Sequence, residues 1–279
     1  MRTGRPSLEA LVLAGILALA CAEQDEHLCP QTCEELVLDE YVEINGTSDL
    51  SVLEGVTHVR GVLRIKHNLT LRHLDELSCL RRVDGELELR DNKRLASLEG
   101  LGCLVELGDD LQISDNPALT DLAGLRNLRE LAGDLSIYDN GQLRNVDALD
   151  GIDAIGGDLH VTNSPALDDL SGLSNVRVVG GNLGLNGLPL TDLEDLAAIE
   201  TVGKDIDVSF NDNLTSVGAL HGITSFDRYY YIAANHQLPT CDAESLRDHL
   251  LSTGWDGEGQ TICGTLEDEC GFEECEWCE

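Results

Sequence analysis

The chain has 279 residues, and 18 basic against 52 acidic side chains give a formal net charge of -34, which excludes a nucleic-acid partner held through its phosphates. Hydrophobic residues make up 42% of the chain, enough for one sizeable core and too many for disorder throughout. Aromatics are only 4% and Met occurs once, so the core has to be built from Leu, Ile, Val and Ala, which suits a regular stacked architecture.

Arg2 and Arg5 precede an apolar run from Ala10 to Ala20, too short to cross a bilayer but of the length of a signal-peptide core. Residues 1–20 are therefore expected to be a signal peptide and the chain to be exported. Ala18-Leu19-Ala20 suits an ordinary signal peptidase, whereas Leu17-Ala18-Leu19-Ala20-Cys21 resembles a bacterial lipobox, departing from it at Ala18. That resemblance implies a lipid on Cys21 and an outer-membrane lipoprotein of the cell envelope; without it the chain is secreted. No later run reaches 18 apolar residues, so membrane contact is expected only through the anchor.

Ten cysteines in an exported chain read as disulfides. Residues 21–41 form an acidic N-terminal cap in which Cys29 and Cys33 are expected to pair. Removing Cys21 from the count leaves an odd number, which weighs against the lipobox. The Cys29/Cys33 and Cys275/Cys278 spacings occur in zinc sites, but the compartment is oxidising, so no metal and no cofactor are expected.

From Val62 the sequence repeats with a period of 24 residues, restarting at Glu86, Asp110, Asp134 and Asp158. Units from Asn182 and Asp205 follow, a partial one starts at Tyr229, and a shortened one ends at Gly61. Apolar residues fall at positions 2, 4, 10, 13, 16, 19 and 22 of each unit, as in Leu135, Ile137, Leu143, Val146, Leu149, Ile152 and Ile155. The two-residue step is a strand signature, while the three-residue steps fit neither an α-helix nor a strand and describe a coil turning corners. Asn at position 7, as in Asn92, Asn116 and Asn140, is expected to satisfy backbone groups at a bend. Gly at positions 23 and 24 is expected to free the backbone for the turn into the next strand. The fold expected over 42–238 is a repeat solenoid, a right-handed β-helix or similar coil of about eight 24-residue rungs, with one parallel sheet and rungs about 4.8 Å apart.

The recurring G-D-L-x-I-x-x-N-x-x-L-x-x-L-x-G-L, clearest from Gly133 to Leu149 and from Gly157 to Leu173, resembles the receptor L domain. That leucine-rich-repeat-like solenoid binds ligands in growth-factor receptors and also occurs in bacterial exported proteins. The resemblance implies a binding surface; the kinase and transmembrane parts of such receptors have no counterpart here, so signalling is not implied.

Cys79 and Cys103 share position 18 of consecutive units and are expected to form a disulfide. Beyond the coil, residues 239–264 read as a helical C-terminal cap. Leu246, Leu250 and Leu251 lie on one face, Thr240 or Asp242 at the start, Gly254 at the end, and a Cys241–Cys263 clamp is expected across it. Residues 265–279 form an acidic, cysteine-rich tail.

Positions 1, 3 and 5 point away from the core, which makes Gln112, Tyr138, His160, Tyr229 and Tyr231 the candidate binding residues, with Tyr230 buried between the last two. Position 1 carries a row of acids including Asp134 and Asp158. These are expected to make turn hydrogen bonds rather than a calcium ladder, and a catalytic carboxylate should interrupt the repeat rather than follow it. The function expected is non-enzymatic recognition of a protein or glycan at the cell surface. The alternatives are a carbohydrate-active β-helix enzyme and a structural envelope component.

Overall fold

A computed structural model describes residues 29–30, 33–39, 41–46 and 49–266. The signal peptide, Cys21 and most of the acidic tail, with Cys270, Cys275 and Cys278, lie outside the described residues.

Positions 2 to 5 of each unit form a four-residue strand, such as Leu135–Tyr138. Leu135 lies beside Leu111 on one side and Leu159 on the other, so neighbouring strands are parallel and offset by one repeat. Ten such strands make one sheet, from Val42–Asn45 to Gln260–Cys263. A second parallel sheet of nine two-residue strands, from Val37–Leu38 to Ser225–Phe226, runs along another side of the coil and corrects the expectation of one sheet. Its strands occupy positions 21 and 22, as in Ala154–Ile155, and two residues are too few to show an alternation. Between the sheets each coil turns through a short 3-10 helix, such as Asp147–Leu149, whose three residues per turn account for the three-residue apolar steps.

All seven apolar positions face inward. Leu135, Ile137, Leu143, Val146, Leu149, Ile152 and Ile155 are each 0% exposed, and their counterparts above and below continue one core through the stack. No single rung could bury these side chains alone, so the stacking itself holds the fold.

The bend after most of the long strands holds a buried asparagine, as expected, and Ser164 and Leu188 take its place in two units. Asn116 Nδ2 donates to Leu89 O at 2.8 Å, and Asn116 Oδ1 accepts from the Asn92 backbone N–H at 3.1 Å. The residue before the ladder takes left-handed backbone, as at Asp115, Asp139 and Asn163, and even at Phe210 and Ala234. The glycines of positions 23 and 24 do not, which corrects their expected role. They make room: a Cβ on Gly157 would stand 2.0 Å from Asp134 Oδ1, and one on Gly181 would stand 1.8 Å from Asp158 Oδ1.

The N-terminal segment is bonded to the coil by Cys29–Cys103 and Cys33–Cys79, with Cα–Cα distances of 5.3 and 5.7 Å. The expected Cys29–Cys33 and Cys79–Cys103 bonds are thereby corrected. Equivalent side chains on successive rungs project in the same direction, so their Cβ–Sγ vectors run side by side, and each bonds instead to a cysteine of the N-terminal segment. The register is unaffected, since Leu63, Leu87 and Leu111 still pair in line. Where later units carry Asn at this position, Asn127 and Asn175 donate to Gly102 O and Asp150 O of the preceding rung at 2.7 and 2.9 Å.

At the other end the helix Thr240–Ser252 buries Ala243, Leu246 and Leu250 over the last rungs, while Leu251 remains 39% exposed, off the expected face. No side chain caps its start. Asp242 instead accepts from Val217 N at 2.6 Å, and the Thr240 hydroxyl bonds to Thr265. The sheet continues past the helix in Gln260–Cys263, paired with Tyr230–Ala233. Tyr230 is fully buried, donates to Ala243 O at 2.7 Å, and packs with Phe226 around Trp255. Cys241 and Cys263 are both disulfide-bonded.

Candidate functional site

The open face of the ten-stranded sheet carries Gln112, Tyr138, His160 and Tyr231, with Tyr229 on its flank, and the repeat register fixes who neighbours whom. Its flank at position 1 is the acidic row. Asp110 Oδ1 accepts from Asp134 N at 2.7 Å, Asp134 Oδ1 from Asp158 N at 2.7 Å, and Asp158 Oδ1 from Asn182 N at 2.8 Å. The row continues through Asn182 and Asp205 to Tyr229 N. These are turn hydrogen bonds handed from rung to rung, and the acids line a ladder instead of converging on a cleft. Burial acts to raise the Asp158 carboxyl, but hydrogen bonds from Asn182 and the charge of Lys204 outweigh it and hold the group below its ordinary value.

The first rungs of the face are closed by ion pairs. Lys66 meets Glu43 at 3.0 Å, and Arg64 meets Glu86 at 2.6 Å and Glu88 at 3.0 Å while its guanidinium lies 5.4 Å from the Tyr41 ring centroid. Hydrogen bonds from Tyr41 first, then Lys66, lower the Glu43 carboxyl to about 2.

From Gln112 onward the character changes. Gln112 Nε2 donates to Tyr138 Oη and lies 3.5 Å from Ser114 Oγ, so these two candidates are joined across one rung. His160 stands one rung further, beside Ser136 and Gly184. Its ring lies over Gly184, where a Cβ would be 2.4 Å from Cδ2. Asp207 follows in the same row. Ser209 Oγ donates to Asp207 Oδ1 at 2.7 Å. Oriented to match its neighbours, the Asn186 amide donates to Leu185 O at 2.8 Å, Ser209 Oγ at 3.1 Å and Asp207 Oδ1 at 3.2 Å. Burial raises the Asp207 carboxyl, and the bonds from Ser209 and Asn186 and the nearby His160 only partly oppose this.

Tyr231 lies beside Asp207 and Thr261 in register. Tyr229 does not form an exposed pair with it. It precedes the strand, is 50% exposed, and is held between Arg228, 5.2 Å from its ring centroid, and Gly259, where a Cβ would sit 1.8 Å from the ring. Sequence reasoning missed Gly184, Asn186, Asp207 and Ser209. The signal was Gly184, since every other unit from Arg64 to Tyr231 carries a side chain at position 3.

No protein-family model matches the sequence, and no curated protein matches it either. Among solved structures, the chain is similar to the crystal structure of an internalin, InlF, from Listeria monocytogenes strain 4b F2365. The identity is 15% over 88% of this chain and 84% of that one, with a TM-score of 0.39.

Proposed function

We propose that this chain is an exported, lipid-anchored recognition protein of the L-domain type, without enzymatic activity, which presents the open face of its long sheet to a protein or glycan at the cell surface. Residues 42–238 supply the recognition solenoid, residues 21–41 and 239–264 close its two ends, and the tail 265–279 lies beyond them. One observation carries the reading. On a chain of net charge -34, the outward positions 3 and 5 of the strands from Leu111–Ser114 to Tyr230–Ala233 hold a single carboxylate, Asp207. Acids crowd the rest of the surface and are kept off this strip, where amides, hydroxyls, an imidazole and tyrosine rings stand instead. Such a strip, poor in charge on a strongly acidic surface, suits contact with a partner. The carboxylates an enzyme would need, Asp134 and Asp158, are committed to the backbone ladder, which supports a binding role over a catalytic one.

The test is capture of surface partners by the full exported chain, compared with Ser136→Arg, which sets a bulky charge on the strip between Gln112 and His160. Loss of capture with an unchanged melting temperature is the expected result; capture undiminished by the substitution overturns the reading. The anchor is tested separately by mass spectrometry of the mature N-terminal peptide, where a diacylated Cys21 is expected and an unmodified one ends the lipoprotein assignment.

A further inference from the structure

Phe210 follows the strand Ile206–Ser209, at the corner where the rungs take left-handed backbone. Elsewhere this corner is held by His67, Asp91, Asp115, Asp139, Asn163, Gly187 and Ala234. Gly takes such backbone freely, and Asp, Asn and His take it more readily than other residues, whereas for a bulky side chain it is a strained outlier. At Phe210 φ is 58°, and the strain gains no packing, since the side chain is 64% exposed and has no place in the core. Ala234, the other residue ill suited to the corner, is nearly buried, which accounts for a small apolar side chain there. Exposure alone is ordinary on a protein surface. Among the described residues, Phe210 is the large exposed apolar side chain that combines it with left-handed backbone.

The neighbouring corners leave the ring standing clear. Gly187 N donates to Ser209 O and Phe210 N to Ala233 O, so Gly187 and Ala234 flank Phe210 in the row, one with no side chain and the other with a methyl group. The surroundings are acidic. Asp207 precedes the ring on its own strand and Asp212 follows it, and residues 205–227 hold four Asp and no Lys or Arg. Residues 186–192 and 230–240, on the rungs to either side, add Asp192 and again no Lys or Arg.

We infer that Phe210, on the rim of the open strip, is an anchor that enters an apolar pocket with a basic rim on a protein partner; the inference rests on the reading of the open sheet face as the recognition surface. Strain and exposure both work against folding, and an Asn or Asp at this corner would relieve both. A bound partner relieves the exposure, and binding is where the ring contributes. A phenyl ring has no hydrogen-bonding group, so its burial is stabilised by removal from water in a fitted pocket, as aromatic anchors are at the centres of protein interfaces. A sugar is held through its hydroxyls, and the side chains of Gly187 and Ala234 beside the ring offer them nothing. Charge selects the rim. A pocket closing over the ring brings its edge against Asp207 and Asp212, where Lys and Arg are attracted and acids repelled.

Phe210→Asn restores a residue suited to the corner and should raise the melting temperature by about 2 to 4 °C. The pocket is imitated by three cup-shaped hosts that admit a phenyl ring, β-cyclodextrin and its amino-bearing and sulfated forms, titrated calorimetrically into the full exported chain. The amino form is expected to bind at least about tenfold more tightly than the sulfated form, and Phe210→Asn to weaken it at least about tenfold. With p-benzoylphenylalanine at position 210, irradiation on cells that display the partners should give an adduct with a protein segment in which apolar residues stand among Lys or Arg. A melting temperature that fails to rise in Phe210→Asn overturns the inference, as do hosts indifferent to the substitution, a preference for the sulfated form, or an adduct with a sugar or an acidic segment. Partner capture that Ser136→Arg abolishes and Phe210→Asn leaves intact removes the anchor and keeps the recognition face. Capture that neither substitution weakens removes both.

Discussion

Replacing Asn116 with Ala removes the central member of the asparagine ladder, and its cost can be worked from the bonds it makes. Asn116 is 0% exposed, so no water replaces what is lost. Its Oδ1 is the acceptor for the Asn92 backbone N–H at 3.1 Å and for Asn92 Nδ2 at 3.2 Å, and its Nδ2 donates to Leu89 O at 2.8 Å and, too weakly to count, to Asn140 Oδ1 at 3.4 Å. Asn92 Nδ2 retains Ile65 O at 2.9 Å, so only the backbone N–H of Asn92 is orphaned. An orphaned buried donor costs about 1 to 3 kcal/mol and each of two weakened bonds about 0.5 kcal/mol, giving about 2 to 4 kcal/mol in all. Asn116→Ser should cost less, because Ser164 holds the same place in its own unit and accepts from Asn140 N at 3.4 Å. Urea unfolding with disulfides intact measures both, and hydrogen exchange at the Asn92 amide should quicken in the Ala variant. A loss below about 1 kcal/mol for Asn116→Ala, or equal losses for both variants, would refute the reasoning.

Non-reducing peptide mapping should find Cys29 joined to Cys103 and Cys33 to Cys79; a Cys79–Cys103 peptide would contradict the cap described here. Because those bonds close segments separated by 74 and 46 residues, opening either one should cost up to about 4 kcal/mol in the chain-entropy account, read as a fall in urea midpoint. Gly157→Ala should push the Asp134 carboxylate off the Asp158 amide and lower stability by about 1 to 3 kcal/mol, whereas Gly141→Ala, with open space around it, should change little. Two aspartates should show opposite pH signatures. The Asp158 value is lowered in the folded chain, so its contribution is present above the ordinary 3.8 and is lost as pH falls through the folded value; Asp158→Asn should destabilise at pH 7 and become neutral in strong acid. The Asp207 value is raised, so the folded chain holds that proton more tightly, and stability declines as pH rises from 3.8 through the folded value; Asp207→Asn should remove that decline. Urea titrations at several pH values check the pair, and slopes of the same sign would contradict the burial and bonding described.

The stacking direction and the core were legible because the apolar period leaves one solution. Positions 2 and 4 alternate, the others step by three, and Leu135 must lie beside Leu111 and Leu159. The short second sheet was not, since the two residues Ala154–Ile155 carry no period of their own. The cap disulfides escaped because spacing along a repeat reports which cysteines are near, while pairing depends on which way their side chains point and on a segment outside the repeat. The left-handed residue before each ladder position had a partial signal in Asp115, Asp139 and Asn163, which tolerate that backbone, and Phe210 and Ala234 concealed it. At the candidate site, alternation alone placed Gln112, Tyr138, His160 and Tyr231 on the open face of the long sheet. It could not show that Gly184 lets His160 lie over the next rung, because that depends on a rotamer, nor that Gly259 and Arg228 hold Tyr229 away from Tyr231.

The most direct test of the account is where a ligand touches the coil. A photoreactive residue placed at Ser136, on the open strip between Gln112 and His160, and another at Val178, on the exposed side of the short sheet, can each be irradiated in the full chain on cells that display its partners. The account predicts a cross-linked adduct from position 136 and none from position 178. An adduct from position 178 alone, or equal yields from both, would contradict it.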